Sequence, residues 1–399
     1  MGRRQSLVAI GVGLGALLLV PLGLAMLHGA APDPTIEALT LRDNPTAVLA
    51  DTQTGRAFVA TDASGTGTIG SNASGHVLVF DIASGALLHT VTVGDIPHVL
   101  TLDTRHDVVY VGSEEPPATT GGSAGFGSVA ALNARDGHVL RTMVVDPHPI
   151  AVGVDGRSGH LFVVSSPSGP GGAGIVSMQD TSSGRYLRVT PVGAYPAAIA
   201  VDERASRAFV ANFLDDSVSI LNTRSGSVVR TVRLVRPSFL PGTLARIAID
   251  ARRQRVFTLS LPPRIEGGGG SPYGALTILD EQTGRVLRVV ALRDLGATLI
   301  VDDGTGRVVV HDDAGIQTLD AATGRVLQTV ALSVMPMEMA IDPRTGHAVI
   351  INGRGFVRTQ DAWAWIPGWL RQHIPFLPPV DRRLHAIDGS VRIVALPHP

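Results

Sequence analysis

Five side chains suited to binding or acid–base chemistry stand at similar places in the chain, each four to seven residues before an aspartate. They are His98, His148, Tyr195, Arg246 and Glu338. Imidazole transfers protons near neutral pH, and a guanidinium binds carboxylates and phosphates. Brought together, this set can bind an anionic or polar ligand. Taken singly, each residue is more simply explained as a hydrogen-bonded structural residue.

Arg246 and Glu338 stand out because they share one position, four residues before an aspartate. At the same offset the chain otherwise carries small or apolar residues: Ala47, Val99, Ala151, Ala198 and Thr298. A charged residue at an apolar repeat position indicates either a side chain that faces a channel or a buried ion pair. A buried pair alone would say little about function, because desolvation offsets much of its Coulomb energy.

Composition excludes several kinds of chemistry. The chain of 399 residues has no cysteine, which excludes disulfides, cysteine-bound zinc, iron–sulfur clusters and a cysteine nucleophile. All 33 residues counted as Lys or Arg are arginine, which excludes a Walker A or Schiff-base lysine. The net charge of −1 predicts no polycationic surface for nucleic acid or anionic lipid. We expect no cofactor, no metal and no nucleic-acid partner.

A sequence repeat must position the candidate residues. An apolar stretch, an aspartate, a turn and an apolar strand recur seven times, with the aspartate at Asp51, Asp103, Asp155, Asp202, Asp250, Asp302 and Asp342. In six units a second turn follows, from Asp or Asn to Gly four residues later, as in Asn222 to Gly226. The aspartates therefore serve as turn caps, and each unit predicts four short antiparallel strands, A to D.

Seven such units predict an all-β fold, a seven-bladed β-propeller of four-stranded antiparallel blades over residues 32–399. A single four-stranded sheet has two apolar faces, and closing the ring buries both against neighbours. We expect residues 35–42 to complete the last blade as its outer strand, with residues 389–396 as its strand C. In a rival alignment, residues 356–361 form strand C and residues 389–396 form strand D.

One segment carries a family resemblance. Residues 208–232, AFVANFLDDSVSILNTRSGSVVRTV, closely resemble the YVTN β-propeller repeat, and weaker copies cover residues 45–352. The chain is thus similar to extracytoplasmic YncE-like seven-bladed propellers, although blades 5 and 7 depart from the repeat. The resemblance is specific for the fold and implies little about activity. Similar propellers that open lactones use His, Arg and Glu at the channel mouth, which implies a hydrolase as an alternative.

Residues 1–31 predict a membrane element. Two arginines precede an uncharged run at residues 7–27, which as a helix spans roughly 30 Å, the thickness of a bilayer core. The run is longer than the apolar part of a secretory signal, and a proline follows the candidate cleavage site at residues 29–31. We therefore favour an uncleaved anchor over a cleaved signal, which would release a secreted protein. The charge pattern places the rest of the chain outside the cytoplasm.

The long loops indicate where a ligand would bind. In a propeller, the A–B and C–D turns lie on one face, and the B–C and D–A connections lie on the other. Gly-, Ser- and Pro-rich segments fall in the B–C connections, at residues 62–75, 112–127, 165–174 and 261–274. Binding residues often lie on loops held by a rigid scaffold, so we place the ligand site at the channel mouth on this face. The alternative is that these loops have no binding role and are merely tolerated by the fold.

An insert at residues 354–388 in the last blade contains all three tryptophans, Trp363, Trp365 and Trp369, with several prolines. This clustering predicts contact with a partner or with the membrane interface. The alternative is a hydrophobic plug over the channel or a blade flank.

The leading functional hypothesis is a non-enzymatic, membrane-tethered, extracytoplasmic scaffold that binds an unknown small ligand or protein. A hydrolase of lactonase type, with its site at the channel mouth, is the alternative. A redox propeller in the quinoprotein style is less favoured, because the chain lacks cysteine, a haem motif and aromatic richness.

Overall fold

A computed structural model describes residues 35–41, 43–62, 74–115, 125–165, 173–234, 243–261, 273–293, 295–312, 315–330, 337–342, 344, 347–352, 355–358, 384–387 and 389–395. Thirty strands make up the secondary structure of these residues. Within the same ranges, no helix is long and apolar enough to cross a membrane. The apolar run at residues 7–27 and the three tryptophans lie outside the described residues.

Seven four-stranded antiparallel sheets form the blades of a β-propeller. Strand β1 (Thr35–Leu41) belongs to the last blade. Blade 1 follows, with β2 (Asn44–Asp51), β3 (Arg56–Asp62), β4 (His76–Asp81) and β5 (Leu87–Thr92). Blade 2 contains β6 (Ile96–Asp103), β7 (Val108–Glu115), β8 (Phe126–Asn133) and β9 (Val139–Val145). Blade 3 contains β10 (Pro149–Asp155), β11 (His160–Ser165), β12 (Ala173–Asp180) and β13 (Tyr186–Ala194).

The next three blades repeat the same order. Blade 4 contains β14 (Pro196–Asp202), β15 (Arg207–Asn212), β16 (Ser217–Asn222) and β17 (Val228–Arg233). Blade 5 contains β18 (Thr243–Asp250), β19 (Arg255–Leu261), β20 (Tyr273–Asp280) and β21 (Val286–Arg293). Blade 6 contains β22 (Leu295–Asp302), β23 (Arg307–Asp312), β24 (Gly315–Asp320) and β25 (Val326–Val330).

Blade 7 joins the two ends of the chain. It contains β26 (Glu338–Asp342), β27 (His347–Asn352), β30 (Gly389–Ala395) and β1, hydrogen-bonded in that order. Strand β30 thus takes position C and β1 takes the outer position D, with Leu39 opposite Val391. Strands β28 (Gly355–Arg358) and β29 (Leu384–Ile387) pair with each other in a separate hairpin. The first strands of successive blades contact one another from β2 to β26, and β26 contacts β2, so the ring is closed.

The core lies between the blades, where large apolar side chains of one sheet pack against the next. Seven residues after the repeated aspartate, four blades carry a phenylalanine with at most 1% of its surface exposed: Phe58, Phe162, Phe209 and Phe257. Burying one such ring is worth roughly 1.5–3 kcal/mol. Separate apolar clusters join consecutive blades, including one that joins blade 7 to blade 1 through Val349, Ile351 and Val48. Closure therefore leaves no blade face without a neighbour.

The repeated aspartates cap the A–B turns, as predicted. In each of the seven turns the aspartate Oδ1 accepts a hydrogen bond from a backbone N–H two or three residues later. In blade 1, for example, Asp51 accepts from Gln53 at 2.9 Å. The carboxylate therefore points into the turn and is buried in six of the seven blades, with Asp51 2% exposed and Asp250 fully buried, whereas Asp302 is half-buried. This local bond explains why Asp and not Glu occupies the position.

The two faces of the propeller are formed by different connections. We call the surface of the A–B and C–D turns the turn face, and the surface of the B–C and D–A connections the mouth face. Among the described turns, eleven arginines have exposed side chains, whereas one carboxylate, Asp136, does. The other turn carboxylates are at least partly buried; most cap a turn, whereas Asp107 and Asp303 pair with arginines. Arginines and carboxylates are thus mixed on the turn face, and several of them form ion pairs, such as Arg135 with Asp107.

Candidate functional site

The inner strands bring one repeat position of each blade to the propeller axis, toward the mouth face. The residue four before the aspartate on strand A pairs with the residue nine after it on strand B, as in Ala198 with Ala211. In blades 1 to 4 both members of this pair are small or apolar. Blades 5 and 7 instead pair Arg246 with Leu259 and Glu338 with Ile351.

Blade 6 adds a third polar group at this level, His311 on strand B. Arg246, His311 and Glu338 therefore occupy three consecutive blades, opposite four blades that carry apolar residues. We call these three residues the axial polar group. The sequence analysis identified Arg246 and Glu338 but missed His311. The same repeat comparison, extended to the position nine after the aspartate, would have found it, because other blades carry Leu259 or Ile351 there.

Glu338 is held by the next blade. Its Oε2 accepts a hydrogen bond of 3.2 Å from the backbone N–H of Val48 in blade 1. Burial raises the pKa of the Glu338 carboxyl, while the Arg246 guanidinium and the Val48 N–H oppose that rise. Arg246 is half-buried, and its Nη1 donates to the Ala245 carbonyl at 3.1 Å.

His311 is a neutral imidazole in a closed environment. Its side chain is 1% exposed, and burial lowers its pKa to about 4, with the nearby Arg246 charge acting in the same direction. A neutral imidazole presents one donor and one acceptor nitrogen, so His311 can hydrogen-bond without carrying charge. The axial polar group thus combines one permanent cation, one titratable carboxyl and one neutral donor–acceptor.

The structure places His98 in an interblade contact. Its Nε2 lies 2.6 Å from the Pro149 carbonyl of blade 3, and its Nδ1 lies 2.9 Å from the Ile96 carbonyl. Thr46 makes the equivalent contact from blade 1 to the Pro97 carbonyl. Both nitrogens of His98 are therefore engaged by the scaffold, which fits the structural explanation of this residue.

His148 and Tyr195 share one position, immediately before strand A, and both have positive φ, at 53° and 49°. Few non-glycine residues adopt this conformation, and a bulky tyrosine is unusual there. The exposed His148 places Nδ1 2.7 Å from Oε1 of Glu114, on the neighbouring blade 2. Tyr195 packs against Phe213, with ring centroids 5.7 Å apart and planes tilted by 57°. Both residues lie on the mouth face, outside the axial polar group.

Strand β7 extends further than the sequence predicted. Residues 112–115, assigned to the long loop, continue the strand to Glu115, which pairs with Phe126. Glu115 explains this extension, because it accepts hydrogen bonds from the Ser128 hydroxyl and the Asp95 N–H. Burial raises the pKa of Asp95, and the Glu115 charge adds to the effect. Glu114, Glu115 and Asp95 thus make this part of the mouth face acidic.

The remaining predicted candidates lie only partly within the described residues. Most of each long B–C loop, and the tryptophans Trp363, Trp365 and Trp369, lie outside the described residues. Within the described ranges, no group of three or more His, Asp or Glu side chains is arranged to hold a metal ion. No protein-family model and no curated protein matches this chain.

Proposed function

We propose that this chain is a membrane-tethered, extracytoplasmic propeller of the YVTN/YncE-like type that binds a small ligand or a protein at its mouth face. The seven-bladed scaffold supports a binding role in general. The YVTN-like repeat at residues 208–232 supports the family, and the apolar run at residues 7–27 supports the tether. We favour binding over catalysis.

The axial polar group carries this proposal. Burying polar side chains costs free energy that the few bonds within the chain only partly offset, yet three consecutive blades replace apolar residues with Arg246, His311 and Glu338. A guanidinium favours a carboxylate or phosphate, and Glu338 and His311 supply hydrogen bonds beside it. Blades 1 to 4 carry small or apolar residues at the same repeat position, including the buried Ala151 and Ala198. This combination suits a small organic acid with an apolar body.

A binding screen tests this proposal. The full chain is screened by thermal shift against carboxylic acids, amino acids and sugars, and calorimetry measures each hit. We expect Arg246→Ala and Glu338→Gln to weaken binding of a carboxylate hit at least tenfold, which is about 1.4 kcal/mol. Arg344→Ala, on the turn face, serves as the matched control and should leave affinity unchanged. Unchanged affinity in both axial variants would count against this site.

One observation supports a hydrolase as a second candidate. The Glu114 carboxylate bonds Nδ1 of His148, so the carboxylate can orient the ring while Nε2 acts as a general base. If the chain hydrolyses lactones or esters there, His148→Ala should abolish turnover and Glu114→Gln should reduce it. His98→Ala serves as a control, since its ring is bonded to the scaffold. If His148→Ala retained the full activity of the wild type, a hydrolase site at His148 would be excluded.

The role of the Trp-containing insert at residues 354–388 stays a prediction. Trp363, Trp365 and Trp369 fit a partner contact or a membrane-interface contact by composition alone. Deleting residues 362–380 and measuring both membrane association and partner recovery would separate these two roles.

A further inference from the structure

Arg246 and Glu338 carry opposite charges near each other without forming an ion pair. Among the described residues, the Arg246 guanidinium donates only to the Ala245 carbonyl. The Glu338 carboxyl accepts only from the backbone N–H of Val48. Burial raises the pKa of Glu338 and lowers that of His311, and the Arg246 charge acts on both groups, so the guanidinium lies near each of them. Both charged groups therefore keep hydrogen-bonding atoms that the described part of the chain does not use.

Blade 6 lies between the two blades that carry these charges, and it supplies two unbonded polar atoms. Thr298 stands four residues before the blade 6 aspartate, and His311 stands nine residues after it. The next pair toward the turn face is Leu299 with Val310, so the two polar residues lie side by side at one level of the blade. Thr298 is 3% exposed and His311 is 1% exposed, yet Oγ1 of Thr298 and Nδ1 of His311 have no hydrogen-bond partner within the described residues. Leaving such atoms unbonded costs free energy, so a ligand that bonds them gains affinity.

A ligand with a single charge suits only half of this arrangement. A simple carboxylate on Arg246 brings a second negative charge close to Glu338, and an amine on Glu338 brings a second positive charge close to Arg246. Such like-charge contacts are most costly where water is scarce. A zwitterion satisfies both groups, because its carboxylate bonds the guanidinium while its ammonium bonds the carboxylate. An α-amino acid carries these two charges on one carbon atom.

The equivalent positions of the other blades favour an apolar body for this ligand. In blades 1 to 4, the residue four before the aspartate and its partner on strand B have side chains without hydrogen-bonding groups. They are Ala47 with Ala60, Val99 with Gly112, Ala151 with Val164 and Ala198 with Ala211. A polar ligand side chain would find no partner among them, whereas an aliphatic or aromatic one loses nothing there.

We propose that the axial polar group binds an α-amino acid with an apolar side chain, its carboxylate on Arg246 and its ammonium on Glu338. The Thr298 hydroxyl and the His311 imidazole serve as neutral hydrogen-bond partners from the blade between them. This inference rests on the proposed binding function and narrows its ligand from small organic acids to zwitterions.

Calorimetry on the full chain with matched ligands tests the assignment. The probes are L-alanine, L-valine, L-leucine and L-phenylalanine, each with the analogue that lacks the amino group and the analogue that lacks the carboxylate. For leucine these analogues are 4-methylpentanoate and 3-methylbutylamine. We expect the tightest-binding amino acid to bind at least tenfold more tightly than either of its analogues, because each analogue loses one charge-assisted bond.

Variants then assign the two charges of the ligand. Glu338→Gln should weaken binding of the amino acid at least tenfold more than binding of its carboxylate analogue, whereas Arg246→Ala should weaken both alike. Thr298→Val removes the blade 6 hydroxyl and should weaken amino-acid binding at least threefold without lowering the thermal stability of the ligand-free chain. Thr277→Val is the matched control, since its buried hydroxyl on strand C of blade 5 also has no partner within the described residues. This control should leave affinity unchanged.

The outcomes separate this inference from the proposed function. A carboxylate analogue that binds as tightly as its amino acid, or equal losses for both ligands in Glu338→Gln, overturns the zwitterion and leaves binding of a small acid standing. If none of the amino acids and none of the carboxylates binds the wild-type chain, both the zwitterion and the proposed acid site are overturned. Unchanged amino-acid affinity in Thr298→Val overturns the role given to blade 6.

Discussion

Glu281 shows how one unexpected residue alters the pH response of a repeat fold. It directly follows the second turn aspartate, where other blades carry Ile82, Ala134, Thr181, Thr223 or Ala321. Its side chain is 2% exposed and faces the capping carboxyl of Asp202, which is 4% exposed. Burial raises the pKa of Glu281 to about 7, and the Asp202 charge adds to the rise. The protonated Glu281 can donate a hydrogen bond to Asp202, whereas the ionised form repels it.

The stability of the fold should therefore fall as pH rises from about 4.5 to 7. Across this window the folded chain keeps a proton on Glu281 that the unfolded chain has released. Glu281→Gln keeps the hydrogen-bond donor and removes the charge. We expect this variant to be more stable than wild type at pH 8, by about 1–3 kcal/mol, and nearly equal to it at pH 4.5. Urea unfolding at both pH values measures the difference.

His311 should make the stability of the fold depend on pH in the opposite direction. Its pKa of about 4 lies below that of a free imidazole, so the unfolded chain binds a proton that the folded chain excludes. Stability should fall as pH drops from 6.5 toward 4. His311→Leu, which copies Leu259 at the equivalent position of blade 5, should remove that dependence. An unchanged acid response in unfolding experiments on this variant would contradict the assignment.

At the scale of the element, the turns were predictable, but their contacts were not. The spacing from Asp or Asn to Gly predicted the C–D turns, and their glycines have φ near 70°. The packing of these glycines against the preceding blade could not be predicted from the repeat. A Cβ on Gly284 would lie 2.6 Å from Cγ2 of Val232 in blade 4, whereas a Cβ on Gly55 would meet no atom within 4 Å. Such contacts join residues of different repeats, which a pattern within one repeat cannot show.

Two glycine substitutions separate these effects. Gly55→Ala tests the cost of placing a Cβ at positive φ in an open turn, which is about 1–2 kcal/mol. Gly284→Ala adds the clash with Val232, which should raise the cost by about 1–3 kcal/mol. Chemical denaturation of both variants measures the difference in the free energy of unfolding. Equal losses would mean that the blade 4 contact relaxes without cost.

At the scale of the whole molecule, the seven recurring aspartates predicted the number of blades, and the strand-like segments at residues 35–42 and 389–396 predicted how blade 7 is completed. Burial explains why the ring closes, because every blade needs two neighbours. The axial polar group is made of residues from three neighbouring blades, and only two of them, Arg246 and Glu338, were predicted from the sequence. His311 belongs to strand B and Arg246 to strand A of another blade, so no single repeat position links them.

Ring closure can be tested on β1 itself. Leu41 is 8% exposed and packs with Val391, Ile393 and Val48, so it joins the outer strand to blades 7 and 1. We expect Leu41→Ala to lower the free energy of unfolding by about 2–4 kcal/mol. Leu39→Ala lies on the same strand with 37% of its surface exposed, and should cost less than about 1 kcal/mol. Because every blade packs against its neighbours, Leu41→Ala should still unfold in a single transition, with its midpoint at a lower denaturant concentration. A separate early transition confined to blade 7 would show that the closing strand can open while the other six blades remain folded.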